Sequence, residues 1–378
     1  MNGSYDVIVA GVGGMGSAAA YHLAARGQRV LGIEQFTRAH DRGSSHGRSR
    51  IIRLAYHEHP AYVPLVRRAY ELWLQTEAES GRSLLTVTGG IMLSTPEGDL
   101  VSGARASAEQ WGLPYELLDA AEVRARFPAL TPRDPVTGLY EPGTGFVRPE
   151  EAVVAHSELA AAAGAELRYG ERVTGWSSSA AGVRVTTDSG TYSGGRLVFC
   201  AGPWSPGLLA DLGVPMTVER QVMHWFEPAA GIELFAPDRH PVYLWGETDD
   251  DLLYGFPAQD GETAVKAAFY RRPVACTPDD VEREVHPAEI AEIRAFMAPR
   301  IPAAAGRHVV SKTCMYTTTP DRAFVVGLHP GHENVVVACG FSGHGFKFVP
   351  VIGEILAGLA TEGRPGHDIG LFDPARFG

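Results

Sequence analysis

Between residues 5 and 34 the chain passes through three textures. Asp6 to Ala10 is a continuous apolar run of strand length, Gly11 to Gly16 is glycine-rich, and Ser17 to Arg26 has the small, alanine-rich composition of a closely packed helix. Gly27 ends that helix, and Arg29 to Glu34 is a second apolar run. The pattern predicts a βαβ unit. Tyr62 to Glu77 then has a helical period, with Leu65, Tyr70, Leu72 and Trp73 available for burial. From Leu84 short apolar runs broken by glycine predict strands, as in 85–93, before helices over 101–111 and 120–126. A Pro- and Gly-rich stretch, 128–145, precedes a helix over 150–163 that starts after Pro149. Strands are predicted at 166–169, 182–187, 196–201, 219–227, 242–245, 252–256 and 264–270. A helix pair over 278–297, strands at 309–316 and 334–339, and a helix over 349–360 complete the chain. The fold class that follows is α/β with an α+β part: a Rossmann-like domain plus a second domain built on a mixed, largely antiparallel sheet.

The glycines of the first turn carry chemistry. Gly11 permits a tight turn, Gly13 lets the backbone approach a pyrophosphate, and Gly16 lets the helix sit against the strand; Gly14 and Met15 complete the G-x-G-x-x-G run. Free amides and the helix dipole would hold the pyrophosphate. Glu34, ending the second strand, would accept from ribose hydroxyls and repel a 2′-phosphate, which disfavours NADP. The motif by itself does not separate FAD from NAD, and a tight turn without a ligand reads the same way.

With 378 residues the chain suits two domains, or one nucleotide domain with a large insertion. Its net charge of −11 argues against nucleic acid or an anionic membrane as the main partner. A few local arginines can still dominate one pocket for a small anion. The apolar run near the amino terminus is accounted for by the nucleotide motif, and no stretch of about 20 apolar residues occurs, so a cytoplasmic protein is expected. Cys200, Cys276, Cys314 and Cys339 have neither C-x-x-C spacing nor a histidine pattern for zinc; neither disulfides nor a metal are expected.

Four further stretches are candidates. The loop Asp41 to Arg53 is rich in Ser, His and Arg donors suited to a pyrophosphate, a flavin edge or a substrate; Arg50 and Arg53 would share a helix face but diverge on a strand. The strand ending at Gly202-Pro-Trp204-Ser205 forms a second strand-to-turn junction of small residues. Alternation in 264–270 puts Lys266, Ala268 and Tyr270 on one face, where a lysine is either solvated or held in a site. Finally, a buried strand runs into Gly340-Phe-Ser-Gly343-His344-Gly345-Phe-Lys347, which repeats the device of the opening turn with a cation added.

Five separated motifs, in one order along nearly the whole chain, carry a resemblance: Gly11-Val-Gly13-Gly-Met-Gly16 with Glu34, Ser45-His46-Gly47-x-x-Arg50-Ile-Ile-Arg53, Tyr254-Gly-Phe-Pro257, Cys314-Met-Tyr316-Thr and Gly340 to Lys347. Together they resemble the monomeric sarcosine oxidase and N-methyltryptophan oxidase family. The resemblance implies an FAD-dependent amine oxidase, with residues 1–84, 146–214 and 309–378 as a discontinuous FAD domain and 85–145 and 215–308 as the substrate domain. It implies covalent attachment of FAD through Cys314 and a substrate carboxylate held by Arg53 and Lys347. It also implies Arg50 close to the flavin, Lys266 as the residue that activates oxygen, and His46 and Tyr254 at flavin-side and substrate-side positions. Ser45, Gly343, His344 and Gly345 fall within the cofactor-binding motifs.

The departures concern substrate. Tyr270 aligns where sarcosine oxidase has a histidine beside the amine, and Trp245 stands where it has a smaller residue, so both are expected at the substrate. A secondary amino acid, N-methylated or cyclic, is the expected substrate, with molecular oxygen as acceptor, no metal, and the chain acting as a monomer. Two rivals stand beside this reading: a dehydrogenase of the same fold that passes electrons to another acceptor, and a non-catalytic dinucleotide-binding protein.

Overall fold

The computed structural model describes residues 4–247, 251–259 and 261–378. In the first of three sheets, Tyr5–Ala10 lies between Thr191–Phe199 and Val30–Glu34, parallel to both. Glu166–Tyr169 extends the sheet beyond Val30–Glu34. On the other side the antiparallel strands Gly182–Thr187 and Val173–Ser179 continue from Thr191–Phe199, and the hairpin Val325–His329 with His332–Cys339 joins that same central strand. Val7, Ile8, Val9 and Ala10 are buried, which is why this strand reads as unbroken apolar sequence instead of alternating. Helices Gly14–Ala25, Val63–Ser80, Pro149–Ala162 and Val349–Glu362 share one apolar core with it. The first and last of these approach closely because Gly353 faces Ala18, where any Cβ would collide at 2.6 Å.

The second sheet has nine strands, and its longest pair, Thr217–Glu227 with Arg307–Thr318, is antiparallel along its whole length. Its far face is covered by Ala120–Arg126 and Pro287–Met297, with Val123, Ile293 and Met297 in the core between. A third, three-stranded sheet joins Arg50–Ile52, Gly145–Val147 and Leu85–Val87.

Most predicted elements appear within a residue or two. The helix pair over 278–297 does not: only Pro287–Met297 is helical. Upstream, the Arg220 guanidinium takes the carbonyls of Glu282 (2.6 Å) and Glu284 (2.8 Å), so those groups serve a side chain in place of a helical ladder. Pro287 then opens the helix at its first position, and Glu289 returns its carboxylate to the His286 amide. The strand Val173–Ser179 had no alternation strong enough to announce it. The boundaries expected at 145 and 309 fall inside the paired strands Gly145–Val147 and Arg307–Thr318. Leu85–Val87 hydrogen-bonds to Gly145–Val147, and Arg307–Thr318, which carries Cys314, belongs by pairing to the nine-stranded sheet. Periodicity reports which face a strand buries but not which sheet it joins.

Candidate active site

At the end of Tyr5–Ala10 the chain turns through Gly11 with φ +90°, and a Cβ there would overlap the Cys200 carbonyl. A Cβ at Gly16 would overlap Gly11 O, so the helix can rest on the turn only if both are glycine. Gly13 differs: a Cβ there would meet nothing closer than Ser45 Oγ at 3.7 Å, because this face opens into a cavity. Ser45 Oγ accepts from the Gly14 amide at 3.1 Å. Glu34, 5% exposed, accepts from the amides of Val12 (3.0 Å) and Phe36 (3.1 Å), and His40 Nε2 is 3.3 Å away. The carboxylate therefore shapes the turn from the cavity wall.

The cavity has a volume of about 960 Å³ and is continuous. Gly11, Gly13, Gly14, Met15, Glu34 and Ser45 line it, as does the junction Gly202-Pro203-Trp204. Arg50, Tyr254, Tyr270 and Tyr316 line the same cavity, and so do Arg53, Gly343, His344, Gly345 and Lys347. An open glycine cradle at a helix start, a carboxylate at the end of the second strand and a cavity lined by both fit FAD.

The basic part of the lining is built from two remote segments. Arg50–Ile52 is a short strand, so Arg50 and Arg53 diverge, while Glu141 accepts from the amides of Leu54 (2.8 Å) and Ala55 (2.9 Å) and sets the turn that follows. The Arg53 guanidinium lies 4.4 Å from the Tyr56 ring centroid, and Lys347 Nζ lies 5.1 Å from the same centroid. Both cations thus gather at one aromatic ring and face one cavity. Lys347 donates to His344 O at 2.8 Å. His344 Nε2 gives its proton to Arg322 O (3.1 Å), leaving Nδ1 to accept from Tyr56 OH (2.6 Å). Burial lowers Lys347 to about 7, with Arg53 adding to the effect and Glu58 opposing it.

Glu58 was not among the expected residues. Both its oxygens accept from Arg53 Nη2, at 2.8 and 2.7 Å, and His57 Nδ1 is 3.2 Å away. Burial pushes its carboxyl up, but Arg53, His57, His344 and Lys347 outweigh that and hold it well below the usual carboxylate range. The available signal was an acidic residue five positions after an arginine in the polar run His57-Glu58-His59.

Arg50, also in the lining, donates to Ser44 O (3.0 Å) and Ser49 O (2.9 Å), with Nη2 3.6 Å from Cys314 Sγ. Cys314 is buried behind this arginine and is not itself in the cavity wall. Lys266 also stands one layer back: 3% exposed, it donates to Ser49 O (2.6 Å), Gly47 O (2.9 Å) and Ser49 Oγ (3.2 Å), and lies 4.5 Å from the Phe256 ring centroid. Burial, with Arg50 beside it, lowers its pKa well below the usual lysine value. His46 is buried nearby; burial and Arg50 drive it down to about 3, so it is a neutral ring. Gly16 and His46 likewise do not line the cavity.

Trp245 corrects the sequence reading. On the strand Val242–Trp245 it is Leu244 that lines the cavity. The alternation of a strand then sends Trp245 to the opposite face, into the helix-covered core, with the Arg300 guanidinium 5.9 Å from its ring. Tyr254 and Tyr270 do reach the cavity, joined by Phe256.

Away from the cavity, Asp211, His329 and His332 bring carboxylate and ring nitrogens within 4.8 Å of one another. The Gly331 amide donates to His329 Nδ1 (3.1 Å), which leaves the proton of the neutral ring on the Nε2 that faces Asp211. That polarity opposes metal ligation, in which the second nitrogen donates.

A parallel nucleotide unit opening into a cavity that also holds Arg53 and Lys347 in its wall fits a flavin-dependent oxidoreductase, and the chain belongs to the FAD dependent oxidoreductase (DAO) family, whose model matches residues 6–359. In particular it is similar to monomeric sarcosine oxidase of Streptomyces avermitilis, with 52% identity over 379 residues that cover 100% of this chain and 99% of that protein. N-methyl-L-tryptophan oxidase of Salmonella newport is 33% identical over 382 residues, covering 99% of both. The solved structure of NikD, described as an unusual amino acid oxidase essential for nikkomycin biosynthesis, superposes with a TM-score of 0.86 at 29% identity, covering 98% of this chain and 97% of that one. Among the described residues no helix is long and apolar enough to cross a membrane.

Proposed function

We propose that this protein oxidises the amine carbon of secondary amino acids, N-methylated or cyclic, with FAD bound covalently through Cys314 and O₂ as electron acceptor. The observation that carries the reading is the placement of Arg53 and Lys347 on one aromatic ring in the wall of the cavity that the glycine turn also lines. FAD, when bound, accepts two electrons and passes them to O₂, giving hydrogen peroxide. The remaining work falls to side chains. The two cations fix the substrate carboxylate, each charge-assisted bond contributing about 1.5–3 kcal/mol, and so set where the amine lies. Tyr254, Tyr270, Phe256 and Leu244 supply the wall around the amine and its substituents. The amine must be neutral to be oxidised, so activity should rise on the alkaline side. Oxidation of an N-methyl group leaves an imine that water converts to formaldehyde and the demethylated amino acid.

We propose residues 1–84, 146–214 and 309–378 as the cofactor domain and 85–145 and 215–308 as the substrate domain, with the strand Arg307–Thr318 crossing from one to the other. The similarity to sarcosine and N-methyltryptophan oxidases supports the substrate class. The test is a panel of N-methyl and cyclic amino acids scored for peroxide per substrate consumed. A stoichiometry near one supports an oxidase. Substrate-dependent bleaching without peroxide would assign the electrons to another acceptor, and no bleaching with any member would remove the amino acid from the cavity.

A further inference from the structure

Glu150, at the start of the helix Pro149–Ala162, is not part of the cavity wall, yet it is joined to Lys266 through three residues of backbone. Its Oε1 accepts from the Gly47 amide at 2.6 Å, and both oxygens accept from the Arg48 amide at 3.2 and 3.1 Å. Gly47 and Arg48 are consecutive residues with positive φ, +97° and +67°. Successive amides in such a turn converge on one side and make a concave site for an anion. Here the carboxylate fills it. The carbonyls on the other side, Gly47 O and Ser49 O, are the acceptors that hold Lys266 Nζ at 2.9 and 2.6 Å. The turn thus has a carboxylate on its donor side and an ammonium on its acceptor side. The turn needs to be held: Arg48 sits in a backbone region that a side chain disfavours, and Gly47 lies so close to Met223 that a Cβ would strike it at 2.6 Å.

We infer that Glu150 is a positioning residue for Lys266: it locks the Gly47–Ser49 turn so that its carbonyls hold the lysine. The inference rests on the proposed part of Lys266 in electron transfer to O₂. The charged and titratable groups around Lys266 are Arg50, Glu150, Cys314 and Glu262, with His46 also within its field. Arg50 opposes the ammonium, and Glu150 and Glu262 favour it.

The experiment compares holoenzyme carrying Glu150→Ala, Glu150→Gln and, as reference, Lys266→Met. Reduction by substrate without oxygen and reoxidation by O₂ are measured separately across pH, together with amide hydrogen exchange over residues 44–52. In Glu150→Ala, reoxidation is expected to slow about tenfold, the equivalent of one lost charge-assisted hydrogen bond, with reduction within about twofold of the parent. Glu150→Gln, which keeps an acceptor oxygen but no charge, should move the alkaline fall in reoxidation to lower pH, because the lysine loses a favourable charge. Exchange at the Gly47 and Arg48 amides should speed up in both variants. Parental reoxidation, pH profile and exchange in the Glu150 variants, with Lys266→Met slow, would overturn the inference while sparing the role of Lys266. If Lys266→Met reoxidises like the parent, the oxygen reading itself falls, and unchanged exchange in Glu150→Gln would then also remove the lock.

Discussion

Replacing Glu58 by Gln separates the two things its carboxylate does: it neutralises Arg53 and it stands where a substrate carboxylate would bind. The pair is nearly dry, with 3% of the Arg53 side chain and 16% of the Glu58 side chain exposed, and the oxygens are 2.7 and 2.8 Å from Nη2. Charges about 3 Å apart attract by roughly 5 kcal/mol at an effective dielectric constant near 20. Removing one partner of a buried pair costs about 3–5 kcal/mol, and the amide oxygen of Gln recovers part of it, so a loss of about 2–3 kcal/mol is expected. For a chain of 378 residues that is a fall in Tm of about 3 °C. The uncompensated guanidinium should bind a small carboxylate about tenfold more tightly, a gain of about 1.4 kcal/mol. The assay is a thermal melt and an absorbance titration of the holoenzyme with a non-oxidisable carboxylate. Because the ligand replaces the missing charge, it should raise the Tm of the variant more than that of the parent. Equal or weaker carboxylate binding in Glu58→Gln, with no added thermal protection, would refute the idea that Glu58 and the substrate compete for Arg53.

Acid should destabilise this fold through its buried histidines. Burial lowers His156 and His240 to about 3 and His22 to about 4, well below the ordinary histidine value. Their contribution is therefore fully present above about pH 6.5 and is lost as pH falls towards those folded values, by up to about 4 kcal/mol per pH unit for the three together; urea melts from pH 8 to 4.5 should show it, and a flat midpoint would contradict it. Cys314→Ala should release its yellow chromophore on denaturation in acid while the parent keeps it, and retention by the variant would move the attachment elsewhere. Shortening Leu244 to Ala should change the kcat/KM ratio between large and small N-methyl amino acids by about tenfold or more. Trp245→Phe should leave that ratio within about twofold, since its side chain lies on the helix-covered face.

Much of the cofactor end was legible because its determinants are local. Strand, turn, helix and acidic residue follow one another within thirty positions, and Gly11 and Gly16 are demanded by backbone atoms packed against them. The basic end was legible only as residue types matching a known family. That Arg53 and Lys347 share a ring depends on Tyr56 being clamped to His344, a hydrogen bond between residues 288 positions apart. Trp245 was placed at the substrate because alignment gives a position and not a face, and Glu58 and Glu150 were passed over because their partners are set by folding.

The amino-acid sequence alone determined the nucleotide turn, the order of most strands and helices, and the set of charged and aromatic residues available to a site. The tertiary structure decided which of these share the cavity, which side chains stand a layer behind it, and which carboxylates neutralise its cations. The physical reason is range: hydrophobic period and turn chemistry act over a few residues, whereas the electrostatics of a buried site depend on groups that only packing brings within a few ångströms.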